Sequence, residues 1–389
     1  MCNNMIQDSK SRNDLDILKN KTNDISAFFE NTLSAMDKRP LVGWFCTYTP
    51  EELIVAGGFI PVRIFGRKKI IKSESYFPIN FCPYIKSSWE SLLSDADNFK
   101  AVIFTNSCDG MRRFFDTTNK YLKDTPSYLL DVPHLRGAGS IDFFANNIGN
   151  MKRFIENLNG KKISRREIEN AVSLINRKRK LLKKYSQIFT KLPEFISISS
   201  YFKVMELSMI SAPEIFTDDL ERYLKFIMEA GAENMTKLQP NYKNTPAIMI
   251  IGNFITEEKL WGMLSAMNLK LASDDLCISS RYFEKQIELG DDSDFLNLIA
   301  ERYLNKPQCM RMADLGLKLK EIENNIIKNN IEGVIFISLK FCDTTLYSFP
   351  LLKQKLNQLG IPALYLEIEY NNFSEGQLKT RVQAFLEML

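Results

Sequence analysis

Two distant stretches of the chain end in the same way: Ala101–Asp109 reads AVIFTNSCD and Gly333–Asp343 reads GVIFISLKFCD. Each starts as a run of β-branched and aromatic residues, too continuous for an amphipathic helix, which is the pattern of a strand buried on both faces of a parallel sheet. Each run ends in a Cys-Asp pair, and helix-like segments follow, Gly110–Leu122 in the first copy and Thr344–Leu359 in the second. Both cysteines therefore belong at the carboxyl end of a parallel strand, where open α/β sheets bind their ligands. One such cysteine reads most simply as a small buried hydrophobe. Two on an internal repeat point to a duplicated α/β arrangement with a thiol at each crevice.

The chain between the copies fits that arrangement. Leu41–Thr47 reads as a short strand carrying Cys46. Thr49 as N-cap, Pro50 at the first helical position and Glu52 as its capping-box partner then predict a helix stopped by Gly57 and Gly58, with Phe59–Phe65 as the next strand. Cys82 precedes Pro83, again at a helix start, and Ser127–Val132 is a further strand. Helical periodicity takes over from about Ile141 to Tyr242, with a Ser164/Glu167 capping box ahead of Ile168–Phe189 and Asp218 and Asp219 at the expected start of Phe216–Gly231. Strands resume at Thr245–Ile251, Leu269–Ala272 and Ala363–Glu367, alternating with helices Glu257–Met267, Asp294–Leu304, Asp314–Asn330 and Glu375–Met388. Asp24–Met36 reads as a surface helix. A chain of 389 residues exceeds what one core supports. The expected organisation is an N-terminal helical extension (1–40), a first α/β domain (41–140), a helical region (141–244) and a second α/β domain (245–389), each α/β unit a doubly wound parallel sheet.

Charge is nearly balanced, 51 Lys plus Arg against 47 Asp plus Glu, which gives no general electrostatic case for nucleic acid or an anionic membrane. The most basic run, Arg177–Lys184 (RKRKLLKK), continues a helical pattern and reads as a solvated helix face. No apolar run approaches the roughly 20 residues of a bilayer span, and the polar start MCNNMIQDSKSRND lacks a signal-peptide core. The expected location is the cytoplasm, where thiols stay reduced.

Setting aside Cys2, the cysteines fall three and three on either side of the helical block: Cys46, Cys82 and Cys108, then Cys277, Cys309 and Cys342, spanning nearly equal lengths of chain. There is no C-x-x-C, so zinc-ribbon and ferredoxin spacings are absent. Six thiolates converging on one crevice suit an iron–sulfur centre, because thiolate is the soft ligand such clusters require. The bland alternative is six packed cysteines. His134 is the only histidine, which excludes a multi-His metal site and assigns His134 a structural role. No Walker A or G-x-G-x-x-G motif is present, so ATP and dinucleotides are not expected on this chain. Asp109 and Asp343 read as caps of the helices that follow them.

The segments GWFCTYTPEELIVAGGFIPV, FCPYIKSS, SCDGMRRFFD and LGIPALYLEIEYNNFSEGQLKTRVQAFLEML resemble the 2-hydroxyacyl-CoA dehydratase and benzoyl-CoA reductase superfamily, in particular its double-cubane cluster proteins. The resemblance runs from about residue 40 to the end. It implies two Rossmann-like domains joined by a helical region, with iron–sulfur clusters in the cleft between them. In the double-cubane branch two [4Fe-4S] cubanes joined by a sulfide are held by cysteines of both domains, and the residues carried over are Cys46, Cys82, Cys108, Cys277, Cys309 and Cys342.

The same resemblance implies a homodimeric reductase of a small-molecule substrate, fed with low-potential electrons by a separate ATP-hydrolysing iron–sulfur activase. The dehydratase branch, which forms ketyl radicals to eliminate water from 2-hydroxyacyl-CoA, implies one [4Fe-4S] cluster on counterparts of Cys82, Cys108 and Cys342 alone. The chain departs from the family at Gly252-Asn253, where a further cysteine is common, and at Gln308-Cys309, where a cysteine pair is common. Two other readings stay open: a dehydratase or benzoyl-CoA reductase-type subunit, and a non-catalytic two-lobed α/β binding protein.

Overall fold

A computed structural model describes residues 16–34, 37–234, 245–290, 294–370 and 374–389. Two four-stranded sheets organise it, and every strand pairing in them is parallel. The first contains β1 (Leu41–Trp44), β2 (Ile60–Arg63), β3 (Phe99–Thr105) and β4 (Ser127–Leu130), in the order β2-β1-β3-β4. The second contains β5 (Ala247–Gly252), β6 (Lys270–Asp275), β7 (Gly333–Leu339) and β8 (Ala363–Ile368), in the order β6-β5-β7-β8. The two orders are the same. In both, the winding direction reverses between the inner strands, β1 and β3 or β5 and β7, and that reversal opens a crevice at their carboxyl ends. The inner strands β3 and β7 are the repeated runs of the sequence. Val102, Ile103, Phe104, Val334, Ile335, Phe336 and Ile337 are wholly buried, which is why those runs show no polar alternation.

The helices that matter to the site follow the strands. Before the first sheet come α1 (Ile25–Phe28) and α2 (Glu30–Ser34); within it lie α3 (Glu51–Ala56), α4 (Pro83–Asp95) and α5 (Asp109–Tyr121). The helical region is α6 (Ala138–Asn159), α7 (Arg165–Lys191), α8 (Ile198–Ile210) and α9 (Pro213–Asn234). The second unit adds α10 (Glu258–Ser265), α11 (Ser280–Phe283), α12 (Phe295–Asn305), α13 (Leu315–Lys328), α14 (Asp343–Leu346), α15 (Phe349–Gln358) and α16 (Glu375–Leu386). The longest, α7, starts at the expected capping box, with Ser164 and Glu167 each satisfying the other's backbone N–H. It packs on α3 of the first unit and on α11 and β6 of the second, while α12 lies along α6. The helical region therefore clamps the two sheets together. One hydrophobic core runs through both, and a smaller one fills the far side of the second sheet around Met249, Phe336 and Leu356.

Several local expectations are corrected. Arg177–Lys184 is not a solvated face throughout, because Lys178 and Arg179 are fully buried and ion-paired with Glu51 and Glu52. That pairing also explains why Thr49 is no N-cap: the cap is Pro50 without a side-chain bond, and the Glu52 carboxylate is taken up by Arg179 and Tyr303. The Asp24–Met36 surface helix is instead the two short pieces α1 and α2, with Phe29 buried against Phe216 and Tyr223; residues 35 and 36 lie outside the described residues. Asp219 does not start its helix, which begins at Pro213; it accepts hydrogen bonds from the Thr32 N–H and hydroxyl. The segment Thr344–Leu359 breaks between α14 and α15, because Pro350 has no N–H to continue a helix and is tolerated only in a new first turn. The expected helical stretch beyond Asn234 and Cys2 both fall outside the described residues.

Candidate functional site

Five of the six cysteines stand where a strand ends or a helix begins, as expected; Cys309 does not, lying inside the connection between two helices. Cys46 follows β1 and Cys108 follows β3, so these two flank the reversal of the first sheet. Cys342 follows β7, Cys82 is the N-cap of α4, Cys277 follows β6, and Cys309 lies between α12 and α13. The turn leaving a parallel strand exposes N–H groups that a sulfur can satisfy, and one cysteine does so. Cys108 caps α5 in this way, its Sγ accepting from the Met111 N–H at 3.4 Å. Cys342 occupies the N-cap position of α14 without a side-chain bond to its N–H groups, after Phe341, which holds a positive φ of 58°, and its Sγ lies 3.1 Å from the Thr345 hydroxyl. Asp109 and Asp343, expected to cap, are instead the first helical residues after these sulfurs.

The repeat is less exact in space than in sequence. Cys82 and Cys309 occupy corresponding connections, between β2 and β3 and between β6 and β7, and Cys108 and Cys342 correspond as well. Cys46 and Cys277 do not: one follows the inner strand β1, the other the outer strand β6. The counterpart of the Cys46 turn is Gly252-Asn253. A Cβ on Gly252 would meet the Ile337 carbonyl oxygen at 2.5 Å, so the β5–β7 approach excludes any side chain there.

The thiols influence one another in two overlapping sets. Burial pushes Cys82 up and the nearby Cys342 and Cys108 sulfurs add to it; burial likewise pushes Cys108 up to about 11, with Cys342 and Cys46 contributing. In the other set the Cys277 thiol shares a hydrogen bond with Cys309, which holds Cys277 protonated and draws Cys309 toward the thiolate, and Arg281 and Arg311 favour that anion. Burial, and after it the Arg302 guanidinium, push the Lys306 amine well below its ordinary value, while Cys46, Cys277 and Cys309 together pull it back up. Cys46 thus stands between the pair Cys277/Cys309 from the second sheet and the trio Cys82/Cys108/Cys342 drawn from both.

Among the described residues no three or more His, Cys, Asp or Glu side chains are gathered tightly enough to grip a single ion. The donor chemistry nonetheless fits an iron–sulfur group, in which each sulfur binds a different iron. Two further observations agree with that fit. Buried polar atoms without partners gather on the same turns, namely Thr49 Oγ1, Asn253 Oδ1 and both amide atoms of Gln308. Buried cations are there too: Arg63 donates to the Cys277 carbonyl at 2.7 Å, Arg281 Nη1 lies 3.5 Å from Cys277 Sγ, and Lys306 and Arg311 flank Cys309 in sequence. Sequence reasoning missed these cations, although PVRIFG and NKPQCMRM set them in apolar surroundings beside Cys309 and a strand end.

His134 has the structural role expected of it. Its Nδ1 lies 2.9 Å from the Arg311 carbonyl, and its own carbonyl accepts from the Ala313 N–H. A groove of about 560 Å³ opens elsewhere, along the β6 edge between Lys183, Tyr201, Asp275 and Lys318, and no cysteine lines it. Among the described residues no helix is long and apolar enough to cross a membrane.

A sequence profile of the 2-hydroxyglutaryl-CoA dehydratase D-component matches residues 46–389. The chain is 24% identical over 378 residues to the (R)-phenyllactyl-CoA dehydratase beta subunit of Clostridium sporogenes, covering 96% of this chain and 97% of that one. It is 24% identical over 354 residues to the beta subunit of lactoyl-CoA dehydratase of Anaerotignum propionicum, covering 90% and 91%. Over 363 residues it is 22% identical to one of the subunits of benzoyl-CoA reductase of Thauera aromatica, covering 89% of each chain.

Proposed function

The chain belongs to the 2-hydroxyglutaryl-CoA dehydratase D-component family and is an enzyme component of dehydratase or reductase type; on that premise we propose that it is a double-cubane iron–sulfur reductase of a small molecule. In this reading 41–140 and 245–389 are cluster-binding domains joined by 141–244. Cys82, Cys108 and Cys342 hold one [4Fe-4S] unit, and Cys46, Cys277 and Cys309 hold a second that shares a sulfide with the first. When bound, such a group supplies single electrons at low potential. The chain itself orients the sulfurs through strand ends, helix starts and, for Cys309, the α12–α13 connection, with the buried Tyr48 beside Cys309 and Cys46 and the buried Tyr84 beside Cys46 and Cys82. With no phosphate-binding loop in the sequence, ATP energy comes from a separate activase that docks on a homodimer of this chain.

The observation that carries the reading is the persistence of all six thiols, three of them, Cys46, Cys277 and Cys309, sharing one buried electrostatic environment. The second reading, a dehydratase subunit with one cluster on Cys82, Cys108 and Cys342 working beside a different subunit, is favoured by the full-length likeness to dehydratase beta subunits. Iron and acid-labile sulfide counted on anaerobically purified protein separate the two. About eight irons per chain are expected for two cubanes, and about four for one. A colourless protein that cannot be reconstituted would sink both.

A further inference from the structure

Two buried guanidiniums, Arg63 and Arg311, and the buried amine of Lys306, which burial and then Arg302 hold well below its ordinary value while the Cys46, Cys277 and Cys309 sulfurs draw it up, have no carboxylate at ion-pair distance among the described residues. Arg63, 3% exposed, gives its Nε to the Phe45 carbonyl at 3.0 Å and its Nη1 to the Cys277 carbonyl at 2.7 Å. The faces of Trp44 and Phe254 close over its guanidinium. Lys306, 1% exposed, donates to the Thr47 carbonyl at 2.7 Å and sits 4.2 Å from the centre of the Tyr48 ring. Arg311, 6% exposed, takes the Val132 and Pro133 carbonyls, faces the same Tyr48 ring, and leaves its Nε without a partner. A fourth cation is only half offset, since Arg281 and Lys318 share the single carboxylate of Asp275. Carbonyls and ring faces soften such charges but do not cancel them, and an unpaired buried charge is costly unless an anion completes it.

The other three sulfurs are set differently. Burial, neighbouring sulfurs and backbone N–H groups are what chiefly set the Cys82 and Cys108 thiols. Lys86, the buried lysine one turn into α4, donates to the Ile79 carbonyl at 2.9 Å. Ile79 and Tyr347, near Cys82 and Cys342 in the chain, are each 79% exposed, whereas Cys277 is the one buried cysteine of the six.

We propose, resting on the iron–sulfur reading above, that Arg63, Lys306 and Arg311, with Arg281, decide where an added electron resides, making the Cys46/Cys277/Cys309 side of the site the accepting side and the Cys82/Cys108/Cys342 side the one electrons cross from outside. Fixed positive charge beside a redox group stabilises its more negative, reduced form and raises its potential. The step served is a one-electron transfer. An external low-potential iron–sulfur donor is oxidised by one electron, the negative charge among these cations rises by one, no bond breaks and no proton has to move. Arg63, Lys306 and Arg311 are positioning residues in this role, since they set the energy of the electron without touching a substrate.

The test is an anaerobic titration with titanium(III) citrate followed by electron paramagnetic resonance, on the full chain and on Arg63→Met, Lys306→Met and Arg63→Lys. Iron, sulfide and circular dichroism are measured on each. The expected result is that Arg63→Met and Lys306→Met keep their iron and move the first reduction to more negative potential, that the second reduction moves less, and that Arg63→Lys returns toward the original value. If Arg63→Met loses its iron, Lys306→Met decides. Unchanged potentials, or equal shifts of both reductions, overturn the inference and leave the iron–sulfur reading standing. About four irons per chain, unaffected by Cys46→Ser, would also overturn it, because the accepting side would then hold nothing. Absence of iron after reconstitution removes both.

Discussion

Glu206 carries a proton-dependent part of the stability. It lies buried on α8 beside Arg67, with one carboxylate oxygen lacking a partner, and burial pushes its carboxyl up to about 7 although the Arg67 guanidinium opposes this. A raised carboxyl behaves oppositely to the usual salt-bridged one. Between its ordinary value of 4.5 and about 7 the folded chain keeps a proton that the unfolded chain has released, so stability falls as pH rises through that window. The loss is at most about 3 kcal/mol. Chemical denaturation of wild type and Glu206→Gln at about pH 5 and about pH 8 should show the difference between the two proteins closing or reversing across that interval. A pH-independent difference would mean that Glu206 does not titrate there. Nothing in the local sequence VMELSM announced this behaviour, because it arises from burial that only the fold supplies and that outweighs the pull of Arg67.

The element that sequence reading mistook most was α7. Its Lys178 reaches Glu51 of α3 at 3.0 Å across 127 positions of sequence, and Arg179 reaches Glu52 at 2.6 Å. Tyr282 of α11 donates to Glu51 at 2.8 Å and Tyr303 of α12 donates to Glu52 at 2.9 Å. These buried ion pairs therefore bolt the helical region to both α/β units at once. Removing one partner strands the other, so Lys178→Met should cost about 3–5 kcal/mol. The double change Lys178→Met with Glu51→Gln should recover a large part of that loss. The check is a double-mutant cycle by denaturant unfolding, and additive effects would show that the pair is not coupled. On α7 the ends and the apolar stripe were legible from the Ser164/Glu167 box and the spacing of Ile168, Val172 and Ile175. Which of its basic residues face water was not, since a lysine at a given helical position looks the same in sequence whether or not a glutamate waits across the interface.

At the scale of the whole molecule, cysteines of the two units influence one another, as Cys342 does Cys82 and Cys108; on the proposed iron–sulfur reading, a centre held by both units would link them and add its binding free energy to folding. Removing iron with a chelator should lower the thermal unfolding temperature by several degrees in calorimetry. Cys342→Ser should show the lowered temperature from the start and lose little more on chelation. An unfolding temperature that chelation leaves unchanged in the wild-type chain would mean that no metal spans the cleft.

What the sequence determined by itself was the local part: two parallel sheets, the helices between them, and cysteines at strand ends, all of it written in periodicity, in Pro and Gly placement and in the repeated Cys-Asp. Tertiary structure decided the rest. It broke the apparent symmetry of the triplets by placing Cys46 after an inner strand and Cys277 after an outer one. It also brought Arg63 to the Cys277 carbonyl, and Arg281 and Arg311 to the Cys277/Cys309 pair. The physical reason is range: propensity and hydrophobic period act over a few residues, whereas the field at a sulfur sums charges brought near it by segments hundreds of positions apart.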